Sequence, residues 1–137
     1  MKAKEKEIAT DKIIIYSAKR SEVPLYLSLS DISIYFIKPL YSKKASSPTK
    51  TGEIMAMGIP IITNSGIGDS DQILKDSGGG LLINSFTKEE YKKIINKIDV
   101  LLKTDKERIM ETAQNYFSLE KGIELYQSVY EKVTNIK

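Results

Sequence analysis

The sequence predicts an α/β fold in which a parallel β-sheet is flanked by helices and followed by extra C-terminal helices. Short β-branched runs, typical of buried strands, alternate along the chain with segments of helical periodicity. The connections between these segments are short, which favours parallel strands with helices on both faces of the sheet. From Thr87 onward every pattern is helical. Together these observations predict a Rossmann-like architecture.

The composition of the chain is that of one ordinary soluble domain. Its 137 residues are enough for one core and too few for two domains. The sequence lacks cysteine and histidine, which excludes disulfides, thiolate metal sites and the commonest general base. The net charge of +3 comes from scattered lysines and does not favour nucleic-acid binding. No apolar run reaches the roughly 18 residues of a membrane span, and the N-terminus is too charged for a signal peptide. We therefore expect a cytoplasmic protein.

The first part of the chain predicts two strands and one helix. Residues 2–9 are typical of the tail of a helix or a frayed terminus. Residues 12–16 contain three consecutive isoleucines and predict a first buried strand. Residues 21–29 predict a helix that Ser21 caps, and residues 32–37 predict the second strand.

The middle of the chain predicts a helix with sharp ends. Ser47 is a good N-cap, and Pro48 suits the first helical position because its missing N–H is not needed there. Gly58 can take the left-handed conformation that ends a helix, and Pro60 is tolerated at the start of a strand. The remaining predicted elements are strand 60–63, helix 70–76, strand 81–83 and helices near 88–103, 105–116 and 119–134.

The start of the helix after Ser47 has the chemistry of an anion site. Its first amides carry a partial positive charge, and Lys50 lies beside them. Lysines 38, 43 and 44 of the preceding loop add charge at the edge of the sheet where ligands bind. The alternative is a solvated, flexible basic loop. The helix start and the strand edge both favour a phosphate site.

Glu53 follows Lys50 by three residues, so the two side chains share one face of the helix. A carboxylate here cannot attract a phosphate, but it is well placed to accept hydrogen bonds from the hydroxyls of a ribose or a sugar. The alternative is that Glu53 only pairs with Lys50 on a solvated surface.

Residues 45–62 resemble the donor-site segment of GT-B glycosyltransferases of the group 1 type, glycosyltransferase family 4 and its relatives. The resemblance rests on the pattern Ser-Pro-Thr-Lys-x-x-Glu-x-x-Ala-x-Gly-x-Pro-Ile-Ile from Ser47 to Ile62. Many members carry a second glutamate eight positions before the one that matches Glu53, and here that position is Ala45. A subset of the family has residues similar to Ser-Pro-Thr-Lys in this loop instead, and this chain resembles that subset most.

The resemblance implies that residues 1–137 are a single, partial Rossmann-like domain that binds a nucleotide-sugar, and that the N-terminal acceptor domain is absent. It leaves the catalytic residues unknown, and we expect no cofactor and no metal. The implied site consists of diphosphate-binding Ser47, Thr49, Lys50 and Thr51, ribose-binding Glu53, base-proximal Ala18, Lys19 and Val23, and sugar-proximal Ala45, Ser46, Gly66 and Gly68.

The function that this implies is the donor-binding half of a glycosyltransferase that is inactive as an isolated chain. Its partners would be a nucleotide-sugar donor and an N-terminal acceptor domain, missing or separate, with no nucleic acid; peripheral membrane association stays open. One alternative is the donor subunit of a two-chain glycosyltransferase. Another is a non-catalytic nucleotide-binding or structural α/β module.

Two further features allow a second interpretation. Asp69 and Asp71 imitate an Asp-x-Asp metal motif, but their position at a predicted helix start favours capping. Tyr126 and Tyr130 lie on a helical stripe that is usually a packing surface, and such a stripe could be left bare by a missing partner.

Overall fold

The computed structural model describes residues 6 and 8–134, and a three-stranded parallel sheet lies at its centre. The strands are β1 (Ser33–Ile34), β2 (Ile61–Asn64) and β3 (Gly80–Ile83), in the order β1-β2-β3. Both neighbours pair with β2: Ser33 lies opposite Ile61 in one ladder, and Gly80 lies opposite Ile61 in the other. The predicted α/β class with a parallel sheet is confirmed.

Seven α-helices and three short 3-10 turns accompany the sheet in the described part of the chain. The turns are Thr10–Lys12, Arg20–Glu22 and Tyr41–Lys43. The helices are α1 (Val23–Ser28), α2 (Thr49–Ala56), α3 (Ser70–Ser77), α4 (Lys88–Ile95), α5 (Ile98–Leu101), α6 (Lys106–Phe117) and α7 (Leu119–Thr134). None of them is long and apolar enough to cross a membrane.

The core has two parts, one on each face of the sheet. Ile61 of β2 packs on one face with residues of α2, α3 and α6, whereas Ile62 packs on the other with residues of α4 and α5. All four residues of β2 are buried. The predicted arrangement of helices on both faces is therefore confirmed.

The predicted first strand at residues 12–16 is wrong. Lys12 ends a 3-10 turn, and the isoleucines that follow belong to no strand, with Ile14 and Ile15 exposed at 90% and 81%. A β-branched run forms a buried strand only where a neighbouring strand pairs with its backbone and helices cover its side chains. Here β1 pairs with β2 alone among the described residues, so the sheet has three strands instead of four.

Several other boundaries differ from the prediction. Helix 21–29 shortens to α1 (Val23–Ser28) with Glu22 as its N-cap, and Ser21, the predicted cap, lies in the preceding 3-10 turn. Strand 32–37 shortens to two residues of β1, because the side-chain oxygen of Asn64 takes the N–H of Ile37 at 2.8 Å in place of a ladder partner. The helix near 88–103 divides into α4 and α5 at Asn96, a residue of modest helix propensity. Helix α2 begins at Thr49, one residue later than predicted, with Pro48 as its N-cap. The prediction for residues 2–9 lies mostly outside the described residues.

Helix α7 carries an apolar stripe that stays exposed. Its side chains recur three or four residues apart on one face, and α7 buries none of its residues. The stripe consists of Leu119, Ile123, Tyr126, Tyr130 and Val133.

Replacing Gly52 by alanine should destabilise the fold, because α2 and α6 approach each other closely at this position. A Cβ at Gly52 would lie 2.8 Å from Cγ of Phe117. We expect Gly52→Ala to lower the free energy of unfolding by about 1–3 kcal/mol in urea denaturation. The matched control is Gly122→Ala in α7, where a Cβ meets nothing within 4 Å. This control should stabilise by about 0.5–1 kcal/mol. Equal stabilisation by both substitutions would contradict the described packing.

Candidate functional site

The N-terminus of α2 is open to solvent. No side chain caps it, and the N–H of Thr51 donates to the carbonyl of Pro48 at 2.9 Å. The amides of Thr49 and Lys50 precede it in the first turn, where helical acceptors are absent. The chain enters α2 from the carboxyl end of β1, which is the edge of a parallel sheet where ligands bind. The start of α2 is therefore a positively polarised surface at this edge.

Lys50 and Thr51 both contact one aromatic residue that directly follows β1. The ammonium nitrogen of Lys50 lies 4.7 Å from the centroid of the Tyr35 ring. The Tyr35 hydroxyl lies 2.6 Å from Oγ1 of Thr51, which is 1% exposed. The hydroxyl of Thr51 is thus buried against Tyr35, whereas Lys50 is exposed above the ring. The predicted diphosphate role of Thr51 stays a prediction, and its hydroxyl and N–H already have partners within the protein.

Glu53 pairs with Arg20 and not with Lys50. The distance from Nη2 of Arg20 to Oε1 of Glu53 is 3.3 Å, and their side chains are 92% and 50% exposed. Among the described residues, the Lys50 ammonium pairs with no carboxylate. The alternative in which Glu53 and Lys50 form a surface pair is therefore wrong. An exposed pair such as Arg20–Glu53 contributes little to stability, so a ligand can displace it readily.

A cavity of about 350 Å³ lies between α1 and α2, on the side of Glu53 that faces Arg20. Its walls are mostly apolar, and the Arg20–Glu53 pair supplies its charged groups. It is lined by Arg20, Val23, Pro24, Leu27, Glu53 and Met57. The structure thus brings together two residues that were predicted separately, Glu53 at the ribose and Val23 at the base.

The other two base-proximal residues do not line this cavity. Ala18 and Lys19 are exposed just before it along the chain. The backbone N–H of Lys19 donates to Oε2 of Glu22 at 2.8 Å, which shapes the turn that leads into α1. Their predicted contact with a base stays a prediction.

Glu53 also lines a second cavity, of about 470 Å³, between α2 and α6. Thr49 and Ala56 of α2 form one wall, and Met110 and Phe117 of α6 contribute to the other. Glu53 is therefore accessible from both sides of α2.

The glycine loop after β2 contacts the loop that precedes α2. Gly66 and Gly68 have φ angles of 81° and 51°, in the left-handed region that favours glycine. The backbone carbonyl of Ser46 approaches Gly68 so closely that a Cβ there would clash with it. Three of the predicted sugar-proximal residues thus come from two loops in contact, and Ala45 is exposed next to Ser46. Ser47, predicted at the diphosphate, is exposed between Ser46 and the start of α2.

Asp69 and Asp71 do not cap α3 as the sequence predicted. Asp69 occupies the N-cap position of α3 but makes no capping hydrogen bond. Asp71 instead accepts the N–H of Gly66 with both carboxylate oxygens, each at 3.1 Å. The capping role predicted for this pair is replaced by closure of the glycine loop. Within residues 6 and 8–134 no group of three or more side chains suited to a metal ion comes together.

Three residues of the site were not predicted from the sequence. Arg20 pairs with Glu53, Tyr35 contacts Lys50, and Asn64 ties the chain after β1 to the end of β2. A tyrosine within the apolar run of a predicted strand is typical of a core position, so Tyr35 carried no distinct signal. Asn64 did carry one, because a polar residue directly after a buried strand lies at the ligand-binding edge.

Alanine at Gly68 should destabilise the protein more than alanine at Gly66. The left-handed backbone alone should cost Gly66→Ala about 1–2 kcal/mol of unfolding free energy, because no heavy atom lies within 4 Å of the added Cβ. Gly68→Ala should cost more, because its Cβ also meets the Ser46 carbonyl. Urea denaturation of both variants measures the difference. Equal losses would contradict the contact between the two loops.

The contribution of Tyr35 to stability should decline at alkaline pH. Burial raises the pKa of Tyr35 above its ordinary value of 10.0, and the nearby hydroxyls of Thr51 and Thr63 act in the opposite direction. Since the folded pKa is the higher one, this stabilisation is present below pH 10.0 and is lost as the pH rises through the folded pKa. Unfolding free energies of the native and Tyr35→Phe proteins between pH 8 and about 11 should therefore converge or cross. A difference that does not vary with pH would contradict this assignment.

Comparison with protein-family models, with curated proteins and with solved structures found no match for this chain.

Proposed function

We propose that this chain is the donor-binding half of a glycosyltransferase and binds a nucleotide-sugar at the N-terminus of α2. The observation that carries the proposal is the cavity of about 350 Å³ that Glu53 and Val23 line together. A volume of this order suits a small-molecule site, and apolar walls with a few polar groups are typical of one. The resemblance of residues 45–62 to the group 1 donor segment supplies the identity of the ligand.

The diphosphate is assigned to the start of α2. The amides of Thr49 and Lys50 and the ammonium of Lys50 offer hydrogen-bond donors and positive charge within the first turn of the helix. Because Lys50 pairs with no carboxylate among the described residues, its charge is available to an anion. Charge-assisted hydrogen bonds of this type are stronger than neutral ones.

The nucleoside is assigned to the cavity between α1 and α2. Its apolar side chains suit the faces of a base, and the Glu53 carboxylate suits the two hydroxyls of a ribose. Glu53 is half exposed and its pair with Arg20 is on the surface. Ribose hydroxyls can therefore replace the guanidinium without a large loss of stability.

The transferred sugar is assigned to the contact between the loop that precedes α2 and the glycine loop that follows β2. The carbonyl of Ser46 and the backbone of Gly68 lie together there, and Ala45 leaves room where many relatives of the resembled family carry glutamate. Sugar recognition at this position depends on backbone groups and on hydroxyls of the loop.

Bond cleavage in such a reaction needs stabilisation of the negative charge that develops on the leaving nucleoside diphosphate. Lys50 and the first amides of α2 would provide it, and preorganised donors of this kind supply about 3 kcal/mol each of barrier lowering. We assign the acceptor and any general base to a further domain or chain. The exposed apolar stripe of α7 fits a surface that such a domain or chain would cover. Sugar transfer by this chain alone is not expected.

Calorimetric titration with UDP, GDP, ADP and inorganic pyrophosphate should identify one nucleoside diphosphate as a ligand. Lys50→Ala should weaken both that nucleotide and pyrophosphate by about tenfold or more, because it removes a charged hydrogen-bond donor. Glu53→Ala should weaken only the nucleotide, because pyrophosphate has no ribose.

Lys44→Ala tests the contribution of the preceding basic loop, and it should weaken both affinities much less than Lys50→Ala, because only Lys50 lies in the first turn of α2. A folded protein that binds none of the nucleotides would overturn the proposal. Equal weakening by the Lys44 and Lys50 substitutions would show nonspecific attraction by the basic loop.

A further inference from the structure

We infer that Tyr35 is a positioning residue that holds the Lys50 ammonium at the N-terminus of α2, ready for an anion. The inference rests on the proposed function, since it assumes that Lys50 binds the diphosphate. In this inference the Lys50 ammonium is oriented by Tyr35 at the end of β1, and not by the basic loop.

Tyr35 is fixed from both ends. Its backbone N–H donates to the carbonyl of Ile62 at 3.2 Å, which ties the residue to β2 just after β1 ends. Its hydroxyl lies 2.6 Å from Oγ1 of the buried Thr51. The half-buried ring between these two anchors also packs against the core cluster of α2, α3 and α6. The ring is therefore a rigid surface whose position depends on the sheet.

Lys50 uses the face of that ring. Its ammonium nitrogen lies 4.7 Å from the ring centroid, inside the range in which the negative face of an aromatic ring attracts a cation. A lysine side chain has a flexible four-carbon stem, and ordering it at the moment of binding opposes association. A lysine that already rests on Tyr35 has given up part of that freedom before the ligand arrives.

The ring is a better support for this purpose than a carboxylate would be. A carboxylate would hold Lys50 equally well but would neutralise its charge and compete with the phosphate oxygens. An aromatic face leaves the full positive charge and the N–H groups directed away from the ring. The nearest acidic residue along the helix face, Glu53, is engaged by Arg20 at 3.3 Å. The charge of Lys50 is thus held in place without being cancelled.

Two substitutions at Tyr35 separate the ring from the hydroxyl. Tyr35→Phe keeps the ring and loses the contact with Thr51, whereas Tyr35→Leu loses both. Pyrophosphate affinity, measured by calorimetry, should fall about three- to tenfold in Tyr35→Leu and stay within about twofold in Tyr35→Phe. In the Lys50→Met background, Tyr35→Leu should cause no further loss, because the two residues act through one contact.

A second readout does not depend on any ligand. The ε-methylene protons of Lys50 should show an upfield ring-current shift in the NMR spectrum of the native protein and of Tyr35→Phe. The shift should vanish in Tyr35→Leu. Circular dichroism and thermal melting of each variant establish that it is folded, so a structural defect is distinguished from a lost contact.

The outcomes separate the two hypotheses. Nonadditive weakening of pyrophosphate binding together with the ring-current shift supports the inference. Pyrophosphate binding that depends on Lys50 but not on the Tyr35 ring overturns the inference and leaves the proposed function standing. A folded native protein that binds neither pyrophosphate nor a nucleotide overturns both. A native spectrum without the ring-current shift overturns the inference whatever the affinities are.

Discussion

Burial of β2 on both faces is the constraint on which the rest of this structure depends. The strand pairs with β1 on one side and β3 on the other, so its backbone groups are satisfied only if both neighbours lie in register. Its side chains alternate between the two parts of the core, Ile61 on the side of α2, α3 and α6 and Ile62 on the side of α4 and α5. A shift of one residue would exchange these two faces, so the apolar pattern itself specifies the register.

The candidate site follows from that register. Because the strands are parallel, the chain after β1 and the glycine loop after β2 emerge at the same edge of the sheet. Asn64, the last residue of β2, accepts the N–H of Ile37 and so attaches the chain that leads toward α2. Gly68 lets the second loop approach the Ser46 carbonyl just before α2 begins. The position of the α2 N-terminus is thus determined by contacts within the sheet edge as well as by its own sequence.

The sequence predicted local features well where one residue type had a single explanation. Gly58 has the expected positive φ, 68°, at the end of α2, and the helices from α3 onward are present apart from the division near Asn96. It failed where the outcome depended on distant neighbours. Ile13-Ile14-Ile15 has the composition of a buried strand, yet a strand forms only against a partner that local pattern does not reveal. The same holds for the site: α2 and Lys50 were predictable from spacing, whereas Arg20 lies 33 residues before its partner Glu53. Pairing over that separation depends on how α1 packs beside α2.

The two charged residues of α2, Lys50 and Glu53, do not pair with each other, although their spacing in the sequence suggests that they would. Lys50 and Glu53 are one turn apart on the same helix, where an i,i+3 pair would ordinarily form. In the structure each instead has another partner, the Tyr35 ring for the cation and the Arg20 guanidinium for the carboxylate. Had the two paired with each other, the start of α2 would present a neutral couple to solvent. Kept apart, they leave a positive group at the helix start and a hydrogen-bond acceptor one turn further on, beside the cavity between α1 and α2. A ligand with an anionic group next to a pair of hydroxyls is complementary to that arrangement, and its hydroxyls need to displace only a surface guanidinium.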